Sequence, residues 1–173
     1  MRSSSRGRVH SPSLTTTPTT RETAMLSTAE ILRRTAGAIS FFGLHTGEQF
    51  AASDSDALDV CAAIYLVAES GMLPAEFKTD ENVSLAIIGA SAPAMAAIRT
   101  LSGSLITPAP YTEIAPGLEI PDYIEHVSHW ATTKHMFADR PPAVSEVIGA
   151  LHRAAQAADA LTALPRQTER SAA

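Results

Sequence analysis

The feature that most constrains this fold is an unbroken run of nine apolar residues, Val60–Ala68. Acidic residues precede the run, and Glu69-Ser70-Gly71 follows it. A helix that packs on a surface needs one apolar stripe, whereas apolar residues on every side require protein all around the helix. The run is shorter than the roughly 20 apolar residues that cross a bilayer. We therefore expect a central helix from about Asp56 to Ser70, buried in a small globular domain.

Helix-start and helix-stop signals predict further helices around this element. Ser27 and Glu30 are spaced as a capping box, and the apolar spacing that begins at Ile31 ends at Gly43, a residue typical of helix C-termini. Helical spacing also predicts helices over about 81–89, 91–105, 121–130 and 142–161. The predicted fold class is therefore all-α, with about five helices packed around the buried central helix.

One long segment interrupts the helical pattern. Residues 107–121 contain four prolines and Gly117. Proline lacks a backbone donor, so we expect no regular structure there beyond short extended pieces. A loop of this length is longer than most connections in compact domains.

The length of 173 residues suits a single domain with a tail at each end. Residues 1–24 consist mainly of Ser, Thr, Pro and Arg, and we expect them to form a disordered tail. Residues 25–164 would form the helical domain, and residues 165–173 a second disordered tail. Met25 directly precedes the first helix signal and is a candidate for the true start codon.

The formal net charge of −5 is unevenly distributed. Residues 1–24 hold four arginines against Glu22 alone, which leaves 9 basic and 17 acidic residues, a balance of −8, for the remainder. So acidic a domain is poorly suited to phosphate backbones, and it favours a basic protein partner instead. No basic amphipathic helix suggests a membrane surface. The single cysteine, Cys61, allows no intrachain disulfide, and we expect a cytoplasmic protein.

Two histidines form the only candidate metal site that we take from the sequence. His126 and His129 stand one helical turn apart and could share a zinc ion, with Glu125 as a supporting carboxylate. The order differs from the His-Glu-x-x-His of metalloproteases. The alternative interpretation is that both are ordinary surface or half-buried histidines beside Trp130.

Other chemistry-bearing residues have simpler interpretations. Cys61 could be a nucleophile if a histidine approached it, but apolar neighbours favour an inert core thiol. Asp54, Asp56 and Asp59 resemble a fragment of a cation-binding loop but lack its Gly and closing Glu, and capping of the central helix explains them fully. The glycines form neither a dinucleotide-binding nor a P-loop motif, and no Gly-x-Ser-x-Gly elbow occurs. We therefore assign no catalytic residue and no cofactor.

The order of several short segments resembles a known family. The resemblance is carried by the Leu32-Arg33-Arg34 helix that ends at Gly43, the Gly47–Phe50 connector, the Leu58–Ala63 segment, Trp130, and the Glu146–Leu151 helix. Together they are similar to short actinobacterial and actinophage proteins of the family called domain of unknown function 6197. The resemblance would cover about residues 26–161. It implies a cytoplasmic helical protein of actinobacterial or phage origin, and it implies no activity.

We expect a non-catalytic protein-interaction or regulatory module rather than an enzyme. The last helix offers a one-sided apolar stripe for a partner or for self-association, made by Val144, Ile148, Leu151 and Leu161. The first alternative is a metal-dependent hydrolase that uses His126 and His129. The second is a DNA-associated accessory protein that uses the Arg-rich N-terminal tail.

Overall fold

The computed structural model describes residues 25–135 and 138–164. The predicted tails, residues 1–24 and 165–173, lie outside the described residues, as do Met136 and Phe137. The described chain contains six α-helices, one 3₁₀ turn and one β-hairpin. In chain order these are α1 (Thr28–Phe42), α2 (Val60–Glu69), the 3₁₀ turn (Ala75–Lys78), α3 (Glu81–Ala90), α4 (Ala92–Gly103), β1 (Tyr111–Ala115), β2 (Leu118–Pro121), α5 (Tyr123–Thr132) and α6 (Val144–Ala163).

Local capping explains where the first helix begins and ends. Ser27 Oγ accepts a hydrogen bond from the Glu30 amide at 3.2 Å, as the sequence predicts. The Glu30 carboxylate does not return to Ser27 but pairs with Arg34 at 2.8 Å. Gly43 has φ of 94°, a conformation that favours glycine, and its amide donates to the Ile39 carbonyl at 2.9 Å. The predicted limits of α1 are therefore confirmed.

The central helix is shorter and less enclosed than predicted. It begins at Val60, because Asp59 is its N-cap, whereas Asp54 and Asp56 lie exposed in the preceding loop. Val60–Ile64 is buried, and α2 contacts α1, α3, α4 and α5. Residues 65–68 are only half-buried. The prediction of a buried central helix thus holds for the first half of α2 and is wrong for the second half.

The last helix packs along the first. Val147, Leu151 and Ala154 of α6 are fully buried, and α1 and α6 form the most extensive helix pair of the described chain. An ion pair between Arg33 and Asp159 joins their exposed flanks. Part of the predicted apolar stripe therefore packs against the rest of this chain, since Leu151 is buried and Ile148 is half-buried. Val144 and Leu161 remain exposed. Self-association through α6 stays a prediction.

The all-α prediction is wrong in one place, because β1 and β2 form an antiparallel hairpin within residues 107–121. The prolines fit this hairpin instead of preventing it. Pro116 and Gly117 occupy the turn, where Gly117 has the positive φ of 75° that such turns need. Pro121 stands at the end of β2, a position that tolerates proline.

The connector between α1 and α2 is held by backbone hydrogen bonds to two separate segments. The Asp59 amide donates to the Phe50 carbonyl at 2.8 Å, and the Ala51 amide donates to the Phe77 carbonyl at 2.9 Å. The Phe77 ring is fully buried between Phe50 and Tyr65. These contacts fix the Gly47–Phe50 stretch beside the N-terminus of α2.

A helix that spans a membrane must be both long enough and apolar enough. No single helix among the described residues meets both requirements, and only α3 and α4 taken together do so, although they are bent by 97° relative to each other.

Candidate functional site

A cavity of about 150 Å³ opens where four parts of the chain meet. Its walls come from the connector, the N-terminus of α2, α3 and α5. The lining residues are Gly47, Glu48, Gln49, Phe50, Asp59, Glu81, Leu85, Ile124, Glu125, Ser128, His129 and Thr132. A space of this size holds more than a single water molecule.

Asp59 is the most buried acidic group at this cavity. As N-cap of α2 it accepts a hydrogen bond from the Cys61 amide at 2.6 Å, and Ser128 Oγ donates to the same Oδ1 atom at 3.3 Å. Only 4% of the residue is exposed. Burial raises the pKa of the Asp59 carboxyl from 3.8 to about 6, although the hydrogen bonds from Cys61 and Ser128 act in the opposite direction.

The cavity is strongly acidic. Glu48, Glu81 and Glu125 line it together with Asp59, and His129 is the only basic side chain among its lining residues. The ion pairs of the described chain join other residues: Arg33 with Asp159, Arg34 with Glu30, and Arg140 with Glu146. The four cavity carboxylates therefore have no ion-pair partner among the described residues.

A buried hydrogen-bond acceptor without a donor in the described part of the chain also belongs to a residue that lines the cavity. Gln49 Oε1 is buried and has no hydrogen-bond partner within residues 25–135 and 138–164. A buried acceptor without a donor costs about 1–3 kcal/mol, so such groups are uncommon in folded proteins. Gln49 lines the cavity, where a ligand carrying N–H groups would supply the missing donor.

His126 does not face this cavity. Ser102 Oγ lies 2.7 Å from its Nδ1, and Thr107 Oγ1 lies 2.9 Å from its Nε2, so a hydroxyl engages each ring nitrogen. Burial, and to a smaller extent the nearby His129, lowers the pKa of His126. This environment favours the neutral imidazole, which donates through one nitrogen and accepts through the other.

His129 stands one helical turn further along α5 and, unlike His126, faces the cavity. It is exposed, lines the cavity, and has Thr133 Oγ1 at 3.1 Å from Nδ1. Among the described residues no three His, Cys, Asp or Glu side chains come together as a metal-binding group. The metal site at His126 and His129 stays a prediction, and the hydrogen bonds of His126 give it no support.

Cys61 is a buried thiol rather than an exposed nucleophile. Its Sγ lies 3.7 Å from the Ile124 carbonyl and 3.6 Å from Ser128 Oγ. Burial, and then the neighbouring carboxylate of Asp59, raise the pKa of the thiol well above its usual value. A protonated, enclosed thiol is a poor nucleophile, which agrees with the expectation of an inert core residue.

The interpretation of Asp59 from sequence was correct but incomplete. Capping was predicted, whereas the approach of Ser128, Glu48 and Glu125 was not. No local motif joins these residues, because Asp59 and Ser128 are 69 positions apart. The one available signal was a charged residue next to the most apolar run of the chain.

The hydroxyl contacts of His126 lead to the first prediction. Replacing Ser102 by alanine leaves the buried Nδ1 without a partner and should lower the free energy of unfolding by about 1–3 kcal/mol. The measurement is urea unfolding at pH 7.5. Ser104→Ala is the matched control, since Ser104 is exposed and its hydroxyl bonds only to the Leu101 carbonyl. Equal losses in the two variants would contradict the structural role of Ser102.

Comparisons of the chain with protein-family models, with curated proteins and with solved structures gave no match. The resemblance to domain of unknown function 6197 stays a prediction.

Proposed function

We propose that this protein is a non-catalytic binding module whose acidic cavity receives a cationic group from a basic partner. One observation carries the proposal: the carboxyl of Asp59 is buried at the cavity wall without a cation among the described residues. Burial of an unpaired carboxylate is costly unless a partner compensates it. A cation bound beside Asp59 would supply that compensation.

The chemistry of the walls favours a guanidinium group. A guanidinium carries five N–H donors spread over a plane and is always charged. The acceptors here are also spread out, since Asp59, Gln49 and the three glutamates belong to four different segments. We infer that an arginine side chain of a protein partner is the natural occupant, with lysine as a weaker one.

Binding of small probes tests this proposal. The probes are acetyl-arginine amide, acetyl-lysine amide and acetyl-citrulline amide, the last being a neutral molecule of nearly the same shape as the arginine probe. The readout is the NMR chemical shift of backbone amides. The Cys61 amide donates to Asp59 and reports directly on that carboxylate. We expect the arginine probe to shift the Cys61 and Ser128 signals, and the citrulline probe to leave them unchanged.

Two variants separate the cavity from general surface charge. Asp59→Asn keeps a capping oxygen but removes the charge. It should lower the affinity for the arginine probe by about tenfold or more. Asp56→Asn is the matched control, because Asp56 is exposed and does not line the cavity. The proposal is wrong if citrulline binds like arginine, or if the two variants have equal effects.

The two alternative functions have no specific observation in their favour. The hydrolase would require His126 to exchange one of its two hydroxyl contacts for a metal ion. The DNA-binding alternative depends on residues 1–24, which lie outside the described residues. Cytoplasmic localisation likewise stays a prediction from the single cysteine.

A further inference from the structure

The β-hairpin carries a second, separate surface. Every residue of β1, together with Leu118, Glu119 and Ile120 of β2, is exposed. The sheet has two strands in the described chain, so each strand has an outer edge without a neighbour. Two-stranded ribbons are marginally stable, and an added strand would satisfy the unpaired backbone groups of one edge.

The hairpin is nevertheless fixed at its base. The Asp122 amide donates to the Pro110 carbonyl at 2.8 Å, and Thr112 Oγ1 donates to Asp122 Oδ2 at 3.2 Å. Asp122 is also the N-cap of α5, where its Oδ1 accepts from the Glu125 amide. These contacts hold the ribbon on the helical body in a defined position.

The two faces of the hairpin differ in chemistry. Thr112 is paired with Ile120, and strand alternation places Leu118 on the same face as Ile120. Leu118 and Ile120 are 52% and 44% exposed, and Ile114 at the bulge is 56% exposed. Apolar side chains gathered on one exposed ribbon differ from the single exposed apolar residues found on most surfaces.

The opposite face is acidic. Glu113 lies directly across from Glu119, an arrangement of like charges that destabilises a strand pair. Glu113 is partly compensated, because its Oε1 accepts from the Gly117 amide at 2.9 Å. Neither glutamate has an ion-pair partner among the described residues.

We propose that the outer edge of β2 binds an extended segment of a basic protein partner, which adds as a third strand with alternating basic and apolar side chains. Strand addition gives affinity through backbone hydrogen bonds and specificity through alternate side chains. The basic side chains lie beside Glu119, with Glu113 one strand further away on the same face, and the apolar ones lie beside Leu118 and Ile120. β2 is favoured over β1 because the register shift next to Ile114 interrupts β1.

Synthetic peptides test the chemistry of the occupant. The probe is acetyl-(Lys-Val)₃-amide, compared with acetyl-(Glu-Val)₃-amide, acetyl-(Lys-Ser)₃-amide and a (Lys-Val)₃ peptide N-methylated at each valine. We expect the first peptide to shift the amide signals of residues 118–120 and to protect from hydrogen exchange those among them that point away from β1. It should bind at least about tenfold more tightly than the other three, because charge, apolar contact and backbone donors all contribute.

A charge reversal tests the position. Glu119→Lys should invert the preference between the (Lys-Val)₃ and (Glu-Val)₃ peptides. Glu76→Lys is the matched control, because Glu76 is an exposed glutamate on the 3₁₀ turn, away from the hairpin. This substitution should leave the peptide preference unchanged. The titrations are repeated in the Asp59→Asn variant, so that binding of a peptide lysine in the acidic cavity does not contribute to the measured affinity. Strand addition can therefore fail while the proposed function of the cavity stands, and the reverse is equally possible.

Four outcomes would overturn the inference. The first is that the hairpin signals stay unmoved at millimolar (Lys-Val)₃. The second is that the N-methylated peptide binds equally well, which would point to side-chain contact alone. Hairpin signals that depend on protein concentration without peptide would make a second copy the occupant. Hairpin signals that change on deletion of residues 1–24 would make the chain's own basic segment the occupant.

Discussion

Replacing Phe77 by alanine should lower the free energy of unfolding by about 3–5 kcal/mol, the largest stability effect that we expect from one substitution. The ring is fully buried, with its centroid 5.9 Å from that of Phe50 and 5.2 Å from that of Tyr65. Removal of the ring leaves a cavity between the connector, α2 and the 3₁₀ turn. Because Phe50 also lines the acidic cavity, the loss should extend to that wall.

Urea unfolding followed by circular dichroism measures this loss. Phe41→Ala is the matched control, because the Phe41 side chain is 82% exposed and touches Phe42 edge-on. We expect the control to lose less than about 1 kcal/mol. A Phe77→Ala variant that is as stable as the control would contradict the view that this ring anchors the connector. Weaker binding of acetyl-arginine amide by Phe77→Ala, at a temperature where it is folded, would link the ring to the cavity.

Replacing Asp59 by asparagine should stabilise the protein at neutral pH, by up to about 3 kcal/mol. This figure corresponds to the difference between the ordinary pKa of 3.8 and the folded value of about 6. Because the folded pKa is raised, the folded state holds its proton more tightly than the unfolded state. The stability that Asp59 contributes is therefore fully present below pH 3.8 and is lost as the pH rises through about 6. Asparagine keeps the capping oxygen and cannot ionise.

The pH profile separates this effect from those of the other titrating groups. His126 has a lowered pKa, so its contribution has the opposite sign and is lost as the pH falls below 6.5. That contribution is common to both proteins. It cancels when the free energy of unfolding of the wild type is subtracted from that of Asp59→Asn. The difference in free energy of unfolding between Asp59→Asn and the wild type should be small near pH 4 and grow between pH 4 and pH 7.

Asp56→Asn, an exposed change of the same chemistry, is the control for this profile and should give a flat difference. A flat difference for Asp59→Asn, or stabilisation that appears only at acid pH, would contradict the buried state of Asp59. If Asp59→Asn is more stable at pH 7 and no longer binds the arginine probe, the buried charge of Asp59 lowers stability but is needed for binding. Such trade-offs are common at functional sites.

Local signals predicted most helix positions correctly. The Ser27 cap, the stop at Gly43 and the one-sided stripe of α6 all depend on residues within a few positions of one another. Such short-range patterns act through backbone hydrogen bonds and helix periodicity, which the sequence displays directly. The exceptions were also local, since the prolines of residues 107–121 were interpreted as breakers although Pro116 and Gly117 form a hairpin turn.

The sequence by itself determined a mainly helical, acidic chain with an apolar run that had to be buried, and the structure restricted that burial to the first half of the run. Only the tertiary structure decided that Asp59 meets Ser128 and Glu48 around a cavity, that Ser102 and Thr107 engage His126, and that α6 packs on α1. The physical reason is the separation along the chain. Helix signals act over three or four residues, whereas the cavity depends on how whole helices pack, and no local pattern of side chains records that packing.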